Sequence, residues 1–274
     1  MADKLFYVVE CTADNCRAEF WLNDIPVARR GADRGLFHGA PINELIVNGR
    51  NELAIVIEPG LTPGSALSGG DDGRVRTLPD SAARAGMKLS TYPKGAVVGG
   101  PDRVELASLA WSGEDSGPLV APRVFTTHCD IESPFPEWSW QTSEPLVLNR
   151  DTRADLETWA ARLRLSLEGC LVEPLVEACR IRYAEIEKAH YLPAGDRAAF
   201  VTNALLDMME RSYWGMQPLD ASPLDPRVCG SGRLIQLVSQ DDRAVLRRNP
   251  NQQGQVVYFD MLVGRINGEW LALR

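Results

Sequence analysis

The sequence contains few imidazole side chains that could act as catalytic bases. Its 274 residues include three histidines, His38, His128 and His190. Covalent catalysis needs a nucleophile, a base and a group that orients the base. His190 lies on the apolar stripe of a predicted helix, which is typical of a core or interface histidine, and His38, in a predicted loop, has no visible partner. The sequence therefore predicts no catalytic residue and favours a protein that is not an enzyme.

Side chains that bind metals occur at Cys11, at Cys16 and in the His-Cys-Asp run at 128–130. Zinc usually takes four converging ligands, and three consecutive residues of a strand cannot all point to one face. The glycine-rich run 64–73 lacks the Gly-Lys-Ser/Thr ending of a phosphate-binding loop. The sequence thus predicts neither a metal site nor a cofactor.

Aromatic side chains provide two candidate ligand sites. Exposed tryptophans commonly form stacking platforms, so Trp138 and Trp140, together with Asn23, are candidates for binding a sugar. Burial in the core is the alternative for both tryptophans. The second candidate is a small-ligand pocket between helices and a sheet. Its expected lining residues are Tyr183, His190, Trp214 and Tyr258.

The elements that would position these residues change character along the chain. Residues 1–150 show strand-like runs, and the Asn23-Asp24 pair predicts a hairpin between EFWL and PVAR. The stretch 60–103 begins with many Gly, Pro, Ser and Asp residues, which predicts a long mobile loop. We therefore expect an antiparallel β-sandwich over 1–150 that carries this loop.

From Asp151 onward, apolar residues recur at helical spacing. We expect a helix from Asp151 to about Gly169, a second from Pro174 to His190, and a third that begins at Asp196. Strands are predicted at 233–239, 243–248, 255–266 and 269–274. Residues 151–274 should thus form about three helices packed on an antiparallel sheet, and the chain as a whole an α+β protein.

Part of the first half resembles a known family. The sequence FWLNDIPVARR, followed by APINELIVNGRNELAIVIEPG, is similar to a pattern in galactose-binding-like jelly-roll domains, such as the N-terminal sandwich domains of family 2 glycoside hydrolases. The matching residues are Leu22-Asn23 and Gly-Arg-Asn-Glu-Leu at 49–53. The resemblance implies a jelly-roll sandwich and makes sugar binding a hypothesis. No catalytic barrel follows, so it implies no hydrolase chemistry.

The second half resembles NTF2-like, cystatin-related domains, in which helices precede a curved antiparallel sheet. The resemblance lies in VVYFDMLVGRINGEWLAL at 256–273, where a long strand ends in a hairpin and Trp270 lies on the returning strand. It implies an NTF2-like fold for 151–274. That fold serves enzymes, adaptors and scaffolds, so it does not assign a function.

Composition narrows the classes of partner. The net charge of −8 argues against binding to nucleic acid or to anionic membranes. The beginning MADKLFYVVECTADNC lacks the features of a secretory signal, which predicts a cytoplasmic protein. The favoured hypothesis is a non-catalytic binding protein whose partner is another protein or a second copy of itself. The alternatives are an NTF2-like small-ligand carrier or enzyme and a carbohydrate-binding module.

Overall fold

The computed structural model describes residues 4–30, 36–57, 82–115, 122–211, 214–219, 223–240 and 243–274. The chain divides into two compact units, Met1–Glu137 and Trp138–Arg274. The first unit is built from antiparallel strands, and the second combines helices with an antiparallel sheet. The predicted α+β fold class is confirmed.

Within the described residues, the first unit contains two four-stranded antiparallel sheets, ordered β4-β1-β6-β7 and β3-β2-β5-β8. Their strands are β1 (Leu5–Asp14), β2 (Ala18–Leu22), β3 (Ile25–Arg30), β4 (Leu36–Pro41), β5 (Gly49–Ile57), β6 (Arg84–Pro93), β7 (Val104–Ser112) and β8 (Arg123–Ile131). Strand β5 contacts β6, and β7 contacts β8, so the sheets lie face to face as the predicted sandwich. Alternate side chains such as Val9, Cys11 and Ala13 of β1 are buried in its core.

Strand β6 corrects one prediction from the sequence. It lies within the stretch 60–103, which we expected to be a mobile loop, yet it pairs along its whole length with β1 and also with β7. Ala85, Met87 and Leu89 alternate into the core, and their burial stabilises the strand. The loop prediction is therefore wrong for 84–93. Residues 58–81 lie outside the described residues.

The second unit contains five helices and one sheet, ordered β12-β11-β10-β9, within the described residues. The helices are α1 (Ser139–Thr142), α2 (Arg150–Glu168), α3 (Glu173–Ala178), α4 (Arg180–Ala189) and α5 (Asp196–Arg211). The strands are β9 (Arg227–Cys229), β10 (Leu234–Gln236), β11 (Leu262–Ile266) and β12 (Glu269–Ala272).

Helical periodicity explains the core of this unit. Leu156, Ala160 and Leu163 of α2 are buried at spacings of four and three, and they share one core with Ile235 and Val263 of the sheet. Helices thus pack on the sheet, as predicted.

The helix boundaries differ from the prediction in two places. Asn149 caps α2 by accepting a hydrogen bond from the amide of Thr152, at 2.8 Å, where we expected Asp151 or Thr152 to cap. The predicted second helix is divided at Cys179 into α3 and α4, and Pro174 lies in the first turn of α3, as expected.

The strand predictions for 243–248 and 255–266 are too long. In 255–266, regular strand pairing is confined to β11. Segment 243–248 is joined to neighbouring segments by isolated bridges, which pair Ala244 with Val238 and Arg247 with Tyr258. The amide of Arg248 donates to the carbonyl of Val257 at 2.9 Å, so the two segments form an irregular hairpin.

The division into units falls earlier than the predicted boundary at residue 150. The amide of Glu144 donates to the carbonyl of Arg265 at 2.9 Å, and that of Leu146 donates to the carbonyl of Gly232 at 2.8 Å. Backbone amides that are shielded from water need hydrogen-bond partners. The second unit supplies these partners, so the segment that follows Glu137 is attached to it.

Candidate binding cleft

A surface cleft of about 480 Å³ lies in the second unit between α5 and the hairpin at 246–259. This size falls within the range of roughly 300–1,000 Å³ that is usual for ligand sites. We call it the α5 cleft. Its lining residues are Ala204, Asp207 and Met208 of α5, and Arg248, Asn251, Gln255 and Val257 of the hairpin.

Helix α5 forms one wall of the cleft because it is amphipathic. Leu205 is buried, and the partly buried Val201 packs with it against the core of the unit. Ala204 and Asp207 lie on the exposed side of the helix, and Met208 is half-buried at its edge. The wall therefore combines apolar surface with one carboxylate.

A buried carboxylate holds the beginning of α5. Glu187 of α4 accepts hydrogen bonds from the amide of Gly195 at 2.9 Å and from that of Arg197 at 2.7 Å. The first amides of a helix have no partners within the helix, and a negative charge there is favourable. Glu187 thus fixes where α5 begins, and with it the position of the wall.

The opposite wall is the loop 249–255, with the sequence Asn-Pro-Asn-Gln-Gln-Gly-Gln. The Oδ1 atom of Asn251 accepts from the amides of Gln253 at 3.0 Å and Gln255 at 2.8 Å. Its Nδ2 atom donates to Oε1 of Gln255 at 3.0 Å. The side chain of Asn251 therefore organises the loop.

Arg248 is the most deeply buried of the lining residues and is only 3% exposed. Its Nε atom donates to the carbonyl of Asn249 at 3.3 Å, and Nε2 of Gln217 donates to the carbonyl of Arg248 at 3.5 Å. A guanidinium remains protonated in proteins. The residues that line the cleft thus include one positively charged side chain, Arg248, and one carboxylate, the exposed Asp207.

Two of the residues predicted to line a pocket belong to the core instead. Tyr183 is 7% exposed, and Trp214 packs against the same core and donates through Nε1 to the carbonyl of Leu167. The hydroxyl of Tyr183 is hydrogen-bonded with the thiol of Cys179, and burial raises the pKa of both groups. A raised pKa keeps both groups protonated at neutral pH, which is unfavourable for a nucleophile.

The other two predicted pocket residues lie elsewhere. His190 ends α4, and its amide donates to the carbonyl of Ile186 at 2.9 Å. Tyr258 is at the surface, where its hydroxyl accepts a hydrogen bond from Nη1 of Arg243 at 3.0 Å. None of the four predicted residues lines the α5 cleft.

The two tryptophans proposed for sugar stacking are buried. Trp138 is 0% exposed and Trp140 is 4% exposed, and the guanidinium of Arg274 lies 5.6 Å from the centre of the Trp138 ring. A stacking platform needs a ring face open to solvent. The prediction that Trp138 and Trp140 form an exposed stacking platform is therefore wrong. Both tryptophans belong to the core, which was the alternative.

Asn23, the third candidate for sugar binding, has an internal role. Its Nδ2 atom donates to the carbonyl of Leu45 and to Oδ1 of Asn51, both at 2.9 Å, and its Oδ1 atom accepts from the amide of Glu52 at 2.9 Å. Its positive φ of 53° fits the predicted hairpin turn. Asn23 thus joins two turns of the sandwich.

Asn51 completes this polar network in the core of the first unit, where it is 0% exposed. Its Nδ2 atom donates to the carbonyls of Val47 at 2.8 Å and Gly49 at 2.9 Å, and its Oδ1 atom accepts from the amide of Val47 at 2.9 Å and from Asn23. The amide group of Asn51 is therefore fully satisfied.

Two kinds of feature are absent from the described residues. No cluster of three His, Cys, Asp or Glu side chains in this part of the chain is arranged to hold a metal ion. Among the same residues, no helix combines the length and the apolar character needed to cross a membrane.

Comparisons with protein-family models, with curated proteins and with solved structures found no match. The jelly-roll and NTF2-like resemblances therefore remain predictions. The α5 cleft was not predicted, because its walls are about 45 residues apart in the sequence, between Ala204 and Asn251. The one local signal was the run of amide side chains at 249–255.

Proposed function

We propose that this protein is a non-catalytic binding protein and that the α5 cleft holds an extended segment of a protein partner. The observation that carries the proposal is the pairing of an apolar helix wall with a loop of amide side chains. Such a combination suits a ligand that is apolar on one side and rich in hydrogen-bonding groups on the other.

The apolar wall continues beyond the cleft along α5. Phe200 is 64% exposed and lies one helical turn before Ala204, which in turn lies one turn before Met208. Side chains at this spacing form one row on a helix surface, about 12 Å long from a rise of 1.5 Å per residue. The large exposed side chain of this row is Phe200, and it extends the apolar surface that a partner could contact.

The opposite wall supports a polypeptide ligand. The side chains of Gln252, Gln253 and Gln255 are exposed, and each amide both donates and accepts hydrogen bonds. An extended peptide offers alternating N–H and C=O groups along its main chain and directs successive side chains to opposite faces. One face of such a segment would contact the row on α5 while its main chain bonds to the loop.

A display library of random nine-residue peptides tests the proposal. Peptides are selected on the full chain, and their dissociation constants are then measured by fluorescence anisotropy. The substitution Ala204→Trp fills the cleft from an exposed position, and Ala199→Trp is the control, because Ala199 is exposed on the same helix but does not line the cleft.

We expect peptides whose affinity falls at least tenfold with Ala204→Trp and stays within twofold of the wild type with Ala199→Trp. Failure to obtain any binder sensitive to Ala204→Trp would refute the proposal. Circular dichroism of both variants shows that the helix is retained.

A cytoplasmic site of action is part of the same proposal. None of the six cysteines, all of which lie in the described ranges, forms a disulfide. Disulfides persist mainly in oxidising compartments, so reduced thiols support a reducing environment.

A further inference from the structure

We infer that two copies of this chain associate through strand β4, whose free edge pairs antiparallel with the β4 of the second copy. This surface belongs to the first unit and is separate from the α5 cleft, so the inference goes beyond the proposed function. It comes from unpaired backbone groups at the edge, from an exposed aromatic side chain and from a glycine that the fold of the single chain does not require.

Strand β4 is an edge of its sheet and has β1 on one side only. The amide of Ile42 donates to the carbonyl of Tyr7 at 2.8 Å, in the same register that pairs β4 with β1. In antiparallel pairing, residues that bond to the neighbouring strand alternate with residues that do not. The N–H and C=O groups of Phe37 and Gly39 therefore point away from β1, and no hydrogen bond reaches them in the described part of the chain.

The side chain of Phe37 lies on the face of the sheet that points away from the core. It is opposite Thr12 of β1, which is exposed, whereas the flanking residues Cys11 and Ala13 are buried. Phe37 itself is 75% exposed. A large apolar side chain at an open strand edge gains free energy when a second strand covers it.

Gly39 lies on the same face as Phe37, two residues further along the strand. Its φ lies outside the left-handed region, and among the described residues an added Cβ would meet only the Phe37 ring, at 4.0 Å. Neither the backbone conformation nor crowding among these residues therefore requires glycine at this position. A glycine inside a strand often marks a place where another backbone approaches closely.

The backbone selects one register for the pairing of β4 with itself. The outward-pointing groups of one copy must face those of the other. When Phe37 faces Gly39 of the second copy, and Gly39 faces Phe37, each of the two pairs exchanges two hydrogen bonds. A register centred on Gly39 would place Phe37 opposite Pro41, which has no N–H to donate. The first register is therefore favoured.

The side chains suit the same register. Each Phe37 ring lies directly across from a glycine, where no side chain occupies the space, and an aromatic residue across from a strand glycine is a stabilising pair. Residues 36–41 include no Asp, Glu, Lys or Arg. No like charges are thus opposed, and the strand lacks the charged side chains that commonly prevent pairing at sheet edges.

The area of the contact determines the expected affinity. A phenylalanine can bury about 150–250 Å², so two rings that are each 75% exposed contribute about 200–400 Å². Two strands of six residues keep the total below about 1,200 Å², which is the range of weak and reversible complexes. We expect a dissociation constant of about 10 µM to 1 mM.

Sedimentation velocity of the full chain at concentrations up to about 1 mM tests the association. Phe37→Glu removes the ring and places a charge on the edge. Val104→Glu is the matched control, because Val104 is 59% exposed on β7, the other edge strand of the same sheet. The wild type and Val104→Glu should dimerise equally, and Phe37→Glu should bind at least tenfold more weakly. Circular dichroism shows that both variants keep their strands.

Covalent trapping tests the register. Phe37→Cys and Gly39→Cys are each made together with Cys170→Ser, because the native Cys170 is exposed. Residues that face each other in a hydrogen-bonded pair have Cα atoms about 5.5 Å apart, a distance that suits a disulfide. On oxidation, a mixture of the two variants should form covalent dimers much faster than either variant alone.

The results that would overturn the inference are distinct. A wild type that stays monomeric at about 1 mM would refute the association. An affinity unchanged by Phe37→Glu would show that the copies meet elsewhere. Covalent dimers that form equally fast from one cysteine variant alone would refute the register. None of these results bears on the α5 cleft, whose test is the loss of peptide binding with Ala204→Trp.

Discussion

Replacing Asn51 by aspartate tests whether the polar network of the first unit stabilises the sandwich. The substitution keeps the shape of the side chain and both of its accepting bonds, from the amide of Val47 and from Asn23. It removes the two donated bonds, to the carbonyls of Val47 and Gly49. It also places a carboxyl group at a position that is 0% exposed.

The expected loss follows from these two bonds. Leaving a buried acceptor without its donor costs about 1–3 kcal/mol. The carbonyls of Val47 and Gly49 belong to half-buried residues, so the lower part of this range applies and the two together cost about 2–4 kcal/mol. A typical domain has about 5–15 kcal/mol of stability in total, and the loss is therefore a large fraction of it. Urea unfolding, followed by tryptophan fluorescence, should show a lower midpoint with an unchanged slope.

Asn48→Asp is the matched control. Asn48 is exposed, and its Oδ1 atom accepts a hydrogen bond from the amide of Ser133 at 3.1 Å, a bond that a carboxylate also accepts. We expect a change within about 0.5 kcal/mol. Equal losses for Asn51→Asp and Asn48→Asp, or no loss for Asn51→Asp, would refute the role of the network.

The pH dependence of the Asn51→Asp variant is a second signature of burial. Burial raises the pKa of a carboxyl group above its unfolded value of about 3.9. The folded state then binds more protons than the unfolded state between these two pKa values, so stability falls as the pH rises through them. The difference from the wild type should be smallest near pH 4 and largest at neutral pH.

Three further predictions concern buried carboxylates and thiols. Glu187→Ala should lower the free energy of unfolding in urea by about 2–4 kcal/mol, because two charge-assisted hydrogen bonds to the start of α5 are lost. Glu187→Gln retains an acceptor and should lose less. An equal loss for both variants would contradict this cause. Glu185→Ala should cost about 3–5 kcal/mol in the same assay, because it removes the carboxylate that pairs with the buried guanidinium of Arg274. A change below about 1 kcal/mol would show that the pair does not matter. The native protein is treated with iodoacetamide and its alkylated cysteines are identified by mass spectrometry. The exposed Cys170 should be alkylated first and Cys11 last, because burial raises the pKa of Cys11 to about 12. Early labelling of Cys11 would contradict its burial.

The helices of the second unit were predictable because their signals are local. The spacing of Leu156 and Leu163, the proline at 174 and the stop at 192–195 lie within the segments that they organise. The break at Cys179 was not predictable from periodicity, because the apolar stripe continues through it.

The errors in the strands have a different cause. Strand β6 follows a Gly- and Ser-rich run, and its alternation of Ala85, Met87 and Leu89 includes small and flexible side chains that give a weak signal. The segment 255–266 has a strong strand composition, yet only its second half joins the regular sheet. Whether a segment forms a regular strand depends on the strand with which it pairs. A pairing partner that is distant in the sequence gives no signal in the segment itself.

The residues of the candidate site could hardly be predicted from the sequence, because the site is formed by tertiary structure. Trp138 and Trp140 were selected because they are aromatic, a property that marks core and interface residues equally. Asn23 was selected for its turn and does form that turn. The cleft depends on how α5 and a hairpin loop face each other, which no short pattern encodes.

The internal bonds of the two cleft walls have a consequence for the speed of recognition. Glu187 holds the start of α5, and the side chain of Asn251 holds the loop, so both walls are in place before a ligand arrives. If the cleft binds a peptide as proposed, the peptide would lose its own conformational freedom on docking, while the walls of the cleft would lose little. Encounter should therefore be limited by diffusion and orientation, at about 10⁵–10⁷ M⁻¹s⁻¹, and differences among ligands should appear in how long each one stays.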